Sequence, residues 1–485
     1  MVDLEQAVYK NLSIPEFIGN PLIEALPAEI SPKEYPEKLL VYPPHEETSR
    51  RAPPEVRLQE LQRISQIHVP TRADSMMMLG VRRCLNWGYV SRNPLPFDRV
   101  EAALTARNIE LTDNLRHYLK RFNAPVYGFP VLGVSGIGKT TSIDNLMTLY
   151  PQVIVHQEYM GQPFQAQQLV WLKVECPGDG TPKGLCHSIL TSIDLAMGAD
   201  YAHQIVKNRM SKDVLTIKVS QLLHSLHLGI LLIDDIQNLM SAASSVSAEL
   251  LSFMVALTNN LKIPVVMIGT PKITKLLQKE FQMAKRATGE GEVRMLPMKQ
   301  DSREWQLFMN VLWRFQFTSH KVRLTEAMQE AFFKESVGIP FLAAILYKVV
   351  QDDAIISTAE NFKVADVHRV AREKLGITAQ KRQDMLKGED VEFNEIMSLW
   401  APASAPPQVE PVAAVKGESS KDVAPQNLMA RLSQQIAQDQ KLTMKEARLY
   451  SRKAIGAMPE ISDLDKLMGY AIRLIKEDQK ISQLN

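Results

Sequence analysis

The chain has 485 residues, of which 45% are hydrophobic and 23% charged, and its formal net charge is +2. This excludes an unfolded polyelectrolyte and leaves room for about two to four domains. A balance so near neutrality says nothing for or against nucleic acid, because a local basic patch vanishes in the average. The three cysteines (Cys84, Cys176 and Cys186) have no metal-ligand spacing and indicate a reducing compartment. The start, Met1-Val2-Asp3-Leu4-Glu5, has no basic segment or apolar core, and no apolar run approaches the ~18 residues a membrane span needs. The expectation is a cytoplasmic protein without membrane contact.

Residues 1–54 carry Pro27, Pro32, Pro36, Pro43, Pro44, Pro53 and Pro54, a spacing too irregular for a packed core, which predicts an extended arm with room for short helices at its start. From 55 to 124 apolar positions recur at helical spacing: Val56, Leu58, Leu61 and Ile64 on one helix, then Met76, Leu79, Val81, Leu85 and Trp87 on another. Gly88-Tyr89-Val90-Ser91-Arg92-Asn93-Pro94 reads as a turn, with a further helix near Asp98–Arg107. From 125 to 300 strands alternate with helices, which predicts a parallel sheet covered on both faces. The strand candidates are 126–132, 153–155, 168–174, 229–233 and 264–268. The segment Thr181–Gln221 reads as an insertion before the fourth of these. Residues 301–400 return to helix, 401–427 form a linker rich in Pro and Ala, and 428–485 are helical again. There Leu464, Leu467, Met468, Ala471, Ile472 and Ile475 make one stripe suited to docking a partner.

The chemistry lies in the α/β segment. Gly133-Val134-Ser135-Gly136-Ile137-Gly138-Lys139-Thr140 fits the phosphate-loop pattern GxxxxGK[ST], between a strand and a helix. Glycines let successive N–H groups turn toward a phosphate, and the following helix N-terminus adds positive potential. Gly133, Ser135, Gly136, Ile137, Gly138, Lys139, Thr140 and Thr141 are therefore candidates to hold ATP, with Lys139 on the β- and γ-phosphates and the Thr140 hydroxyl on Mg²⁺. Gly229-Ile230-Leu231-Leu232-Ile233 is an apolar run that delivers Asp234-Asp235 at its end, and Asp234 is the second candidate for Mg²⁺.

Three further assignments follow ring-forming ATPases. Asp235 stands where they carry a glutamate that polarises the attacking water, and its shorter side chain predicts slow turnover. Thr270, after the strand 264–268, is placed to sense the γ-phosphate. Arg286 is a candidate to be delivered to a neighbouring subunit's phosphates, with Lys285 and Arg294 as rivals. The helices after 300 stand where such proteins have a lid, here without the usual lid arginine.

Several blocks go beyond these motifs. Pro54-Glu55-Val56-Arg57-Leu58, Val90-Ser91-Arg92-Asn93-Pro94, Leu232-Ile233-Asp234-Asp235-Ile236-Gln237-Asn238-Leu239, Lys285-Arg286-Ala287-Thr288-Gly289 and Ser336-Val337-Gly338-Ile339-Pro340 resemble the TnsC/TniB family, over roughly residues 45–375. These are AAA+ regulators of heteromeric cut-and-paste transposons, and the chain departs from them at the second acid. The resemblance implies an AAA+ P-loop fold: a five-stranded parallel sheet flanked by helices, a helical N-terminal region and a helical C-terminal lid. It also implies ATP-bound subunits assembling as a ring or filament on duplex DNA, linking a TniQ/TnsD-like target-selection protein to the transposase and disassembling on hydrolysis. Lys207, Arg209 and Lys212, with Lys218, are the candidates for sequence-independent DNA contact. Competing readings are a DNA-remodelling motor or helicase loader, and a signalling ATPase that never meets DNA.

Overall fold

The computed structural model describes residues 4–121, 125–206, 210–241, 244–274 and 289–376, together with 384–385, 432, 436, 444–457 and 470–472. The chain divides into two compact units, Met1–Pro402 and Ala403–Asn485. The strands of the first are β1 (Leu4–Gln6), β2 (Pro130–Gly133), β3 (Val153–Tyr159), β4 (Gln162–Leu169), β5 (Trp171–Glu175), β6 (Ile230–Asp234), β7 (Val265–Gly269) and β8 (Val293–Met295).

Five of them form one parallel sheet in the order β5-β6-β7-β2-β8. Every residue of β6 and β7 is buried, as expected for central parallel strands with both faces covered. Alternation then sorts their side chains between two cores. Ile230, Leu232, Val266 and Ile268 pack with Met77, Val81 and Leu85 of the Arg72–Val90 helix and with Ile143 and Leu146 of the Lys139–Met147 helix. Leu231, Ile233, Val265 and Met267 face the other way, onto Leu185, Ile189 and Ile193 of the Pro182–Met197 helix and Val219 and Leu223 of the Lys212–Ser225 helix. Each such side chain, fully buried, contributes about 1.5–3 kcal/mol.

The sheet has the expected number of strands but not the expected members. Val153–Val155 leaves it for a second sheet, ordered β1-β3-β4, where it pairs with β1 in parallel and β4 antiparallel. Met160 and Gly161 both have positive φ (50° and 70°), the backbone that a tight hairpin demands. Met-Gly is a weaker sequence signal for that turn than Asn-Gly, so the hairpin was not anticipated. The run 168–174 splits between β4 and β5. The fifth strand of the main sheet is β8, too short to show any periodicity.

The proline-rich start is a correction. The described residues 4–54 do not form an extended arm without a core: Phe17, Leu22, Ile23, Leu26, Tyr35 and Leu39 are buried in the same core as the Arg72–Val90 helix. Asn20 donates to the Tyr89 carbonyl at 2.9 Å, and the buried Glu24 carboxylate pairs with Arg107 at 2.6 Å. Prolines punctuate this segment, but its short apolar clusters suffice to bind it to a pre-formed surface. Thr181–Gln221 lies between β5 and β6, as expected, and its helices Pro182–Met197 and Lys212–Ser225 cover one face of the sheet.

Gly88, Tyr89 and Val90, read as part of a turn, instead close the Arg72–Val90 helix, and this helix end with the turn after it is tied to the start of β6. The Arg92 guanidinium is half-buried, lies 5.0 Å from the Tyr89 ring centroid, and donates to the carbonyls of Gly88, Leu228 and Gly229. Burial lowers its pKa to about 10, and no carboxylate among the described residues pairs with it. Tyr89 donates to the His227 carbonyl, and His227 sits in the turn before β6 at φ 48°.

A third core joins the helices Arg303–Leu312, Glu326–Ser336, Pro340–Ile356 and Val364–Lys374 around Trp305, Phe308, Phe332, Leu346 and Tyr347. Leu61 and Ile64 belong to it. The Pro54–Glu60 helix is clamped to this bundle by Arg57, whose guanidinium makes paired hydrogen bonds to Glu360 at 2.8 and 2.7 Å and a third to the Phe317 carbonyl. Of the second unit, the helix Met444–Ala457 is described. The linker 401–427 and most of the stripe from Leu464 to Ile475 lie outside the described residues. Among those described, no helix is long and apolar enough to cross a membrane.

Candidate nucleotide-binding site

The candidate residues converge because three neighbouring strands end at one edge. In a parallel sheet all C-terminal ends point the same way, and the order β6-β7-β2 brings Asp234, Thr270 and the phosphate loop to adjacent tips. The loop begins at the last residue of β2 and ends at Gly138, which caps the Lys139–Met147 helix at φ 104°. That conformation is open to glycine and strained for any other residue. The Lys139 ammonium curls over the loop, donating to the carbonyls of Gly133 (2.8 Å) and Val134 (3.1 Å). Ser135, Thr140 and Thr141 are exposed at its mouth.

Asp234 is 4% exposed, and one of its oxygens accepts the Asp235 backbone N–H at 2.8 Å. Its other oxygen lies 3.9 Å from the Lys173 ammonium, which also pairs with Asp144 on the helix that follows the loop. Lys173 thus links Asp234 to the loop helix. It was legible as the single polar interruption of Leu172-Lys173-Val174, yet was passed over as a strand residue. Asp235 is exposed at φ 52°. The Thr270 hydroxyl is buried and has no hydrogen-bond partner among the described residues. A buried hydroxyl without a partner is costly, and this one stands just past the tip of β7 beside the loop.

Beside the loop lies a cavity of about 280 Å³ that sequence reasoning missed. One wall is the stretch Ile67-His68-Val69 leading into the Arg72–Val90 helix, the other is Pro340, Phe341 and Ile345, and Gly136, Gly138 and Thr141 close the end. It is mainly apolar, with room for a flat heterocycle next to the phosphate loop. The wall is rigid: His68 meets Asp74 at 3.0 Å, and Thr71 donates to Asp74 through both its backbone and its hydroxyl. Burial works against the Asp74 charge, but these bonds hold its carboxyl below the ordinary range. The bundle brings Lys348 here, whose ammonium donates to Gln62.

Two further candidates have partners of their own. Arg294 on β8 is engaged with Glu292 at 2.7 Å. Lys212 pairs with Glu249 at 2.8 Å, an exposed contact. Arg286, Lys285, Lys207 and Arg209 lie outside the described residues.

A five-stranded parallel sheet with a phosphate loop after β2, an acid-bearing β6 beside β7, and helical regions on both sides in the chain is an AAA+ P-loop ATPase fold. The AAA domain family matches residues 130–277, and no curated protein matches the chain. Among solved structures, the Walker-type ATPase paby2304 of Pyrococcus abyssi is similar at 13% identity and a TM-score of 0.35, over 59% of this chain and 77% of that one. The Orc1 protein of Aeropyrum pernix, solved in complex with DNA, is similar at 13% identity and a TM-score of 0.36, over 72% and 78%. Cdc6p of Pyrobaculum aerophilum stands at 14% and 0.35, over 72% and 79%. Likenesses this distant leave the function to be argued from the residues themselves.

Proposed function

We propose that this chain is an ATP-dependent, DNA-binding transposition regulator. ATP-bound subunits assemble on target duplex DNA, link a target-selection protein of the TniQ/TnsD kind to the transposase, and come apart on hydrolysis. The observation that carries this reading is the physical union of the two most discriminating sequence blocks. The Gly-Tyr-x-x-Arg-Asn-Pro turn grips the start of β6 through Arg92, and the Asp-Asp-Ile-Gln-Asn-Leu block begins at the end of that strand. Residues that resemble one family in two separate places thus serve one strand of the nucleotide site.

In this reading the loop from Gly133 to Thr141 holds the triphosphate, Lys139 its β- and γ-phosphates, and Thr140 with Asp234 the Mg²⁺. The cavity takes the base. Magnesium, when bound, neutralises phosphate charge. Asp235 orients water, Thr270 contacts the terminal phosphate, and Arg286 serves the neighbouring subunit. A head-to-tail interface that does not close on itself gives a helical filament, which suits assembly along DNA.

The test is electron microscopy of the protein with duplex DNA, with and without a non-hydrolysable ATP analogue. Rings or filaments threaded by DNA that require the analogue are expected. Particles indifferent to both ligands would refute the regulator reading. A second expectation concerns Thr270→Val, which removes a buried hydroxyl that has no partner among the described residues. Its melting temperature stays at or slightly above the parent's, while ATP turnover falls about tenfold. A lower melting temperature with full turnover would show that the hydroxyl serves the fold.

A further inference from the structure

Gln237 stands two residues beyond the acid pair Asp234-Asp235. The backbone between explains where its side chain goes. Asp235 lies in the left-handed region at φ 52°, where aspartate is several-fold enriched among non-glycine residues. A 3₁₀ turn follows over Ile236–Ser241. Together they fold the Gln237 side chain back across the C-terminal edge of the sheet. Its Nε2 donates to an Asp235 carboxylate oxygen at 2.8 Å, and its Oε1 accepts the Thr270 backbone N–H at 3.2 Å.

The two ends of the amide are not interchangeable. A carboxylate needs a donor and a backbone N–H needs an acceptor, so a flipped amide would set oxygen against oxygen and N–H against N–H. The crossing also accounts for Gly269. A Cβ there would come within 2.8 Å of Gln237 Oε1 and 2.6 Å of the Ile236 Cγ2, so the last residue of β7 stays bare beneath the bridge.

We propose that Gln237 is a positioning residue that couples Asp235 to Thr270, so that contact with a terminal phosphate at β7 and the aim of the acid at β6 change together. The inference rests on the ATPase reading above. It adds a residue that touches neither nucleotide nor water but sets the relation between the two that do. It also gives a use to aspartate at position 235: the shorter acid tolerates the left-handed backbone from which the bridge is built.

The experiment uses the full chain with Gln237→Met, which keeps the side-chain length and removes both bonds, and Gln237→Glu, which keeps only the acceptor. Gln237 is half-buried, so both are expected to melt with the parent. Both are expected to lower kcat about tenfold and to leave KM for ATP within about twofold. A binding readout without turnover accompanies this: by calorimetry, the preference for a non-hydrolysable ATP analogue over ADP falls about fivefold. On an Asp235→Asn background, Gln237→Met adds no further loss in kcat, because residues acting as one unit are not additive. Unchanged kcat and unchanged analogue preference in both variants would overturn the coupling, as would a full additional tenfold loss on the Asp235→Asn background. The wild type and Lys139→Ala are assayed alongside. If the wild type hydrolyses ATP no faster than Lys139→Ala, the ATPase reading falls and takes this inference with it. Lys139-dependent hydrolysis with indifferent Gln237 variants defeats the inference alone.

Discussion

Lys139→Ala is expected to reduce ATP turnover by a factor of about 100 to 1,000 and to abolish ATP-dependent assembly on duplex DNA. The loop around Lys139 is built from backbone N–H groups, which the substitution leaves in place, so some nucleotide affinity survives. What disappears is the one ammonium that the loop itself carries. Removing a single pre-organised donor from a phosphate or oxyanion site costs about 2.7–4 kcal/mol. The same substitution frees the carbonyls of Gly133 and Val134 from the lysine, and the Val134 carbonyl keeps the Ile137 N–H, so the fold is expected to hold. Steady-state hydrolysis with a melting curve separates the two effects. A Lys139→Ala protein that hydrolyses ATP or assembles on DNA like the parent would remove this loop from the function.

Glu360→Gln is expected to lower stability by about 3 kcal/mol at pH 7, the largest single loss foreseen away from the nucleotide site. Arg57 is 4% exposed, and Glu360 supplies its counter-charge through paired hydrogen bonds, with the Ser319 N–H as a further donor to the carboxylate. Removing one partner strands the other as a buried charge, which is more costly than the net worth of the pair. The bond from Arg57 pushes the Glu360 pKa down to about 2, against the opposing effect of burial. A carboxylate whose pKa is lower in the fold than in the unfolded chain stabilises the fold above the unfolded value. That contribution is lost as pH falls toward the folded value. The difference between parent and variant is therefore full at pH 5–8 and shrinks between roughly pH 4.5 and pH 2. Urea denaturation at pH 7 and at pH 3 tests this, and a constant difference at the two values would show that the carboxylate charge is not what holds the clamp.

The phosphate loop, the acid-bearing strand and the alternation of strand and helix were readable in the chain because each rests on local chemistry. A glycine pattern, a lysine and a hydroxyl must stand at fixed offsets for successive N–H groups to face one phosphate. A strand buried on both faces must be apolar throughout, as Ile230–Ile233 and Val265–Ile268 are. The helix Arg72–Val90 and the bundle after 300 announced themselves by a period of 3.6.

Pairing across distance left no such mark. Val153–Val155 is as apolar and β-branched as the strands of the main sheet, and nothing in its composition assigns it to another. Its place follows from a hairpin partner and from Leu4–Gln6, far away in the chain. The proline-rich start looked too sparse for a core because its apolar residues pay off only against the surface of a helix that begins after residue 70. The cavity beside the loop joins Ile67–Val69 to Phe341 and Ile345, nearly three hundred residues apart, and no local spacing encodes that meeting. Lys173, Gln237 and Arg92 belong to the same class: each is an ordinary polar residue until the fold brings a carboxylate, a backbone N–H or three carbonyls to it. Motif chemistry depends on neighbours in sequence and so can be read there. The walls, the clamp and the bridge depend on neighbours in space, which packing of the whole unit selects.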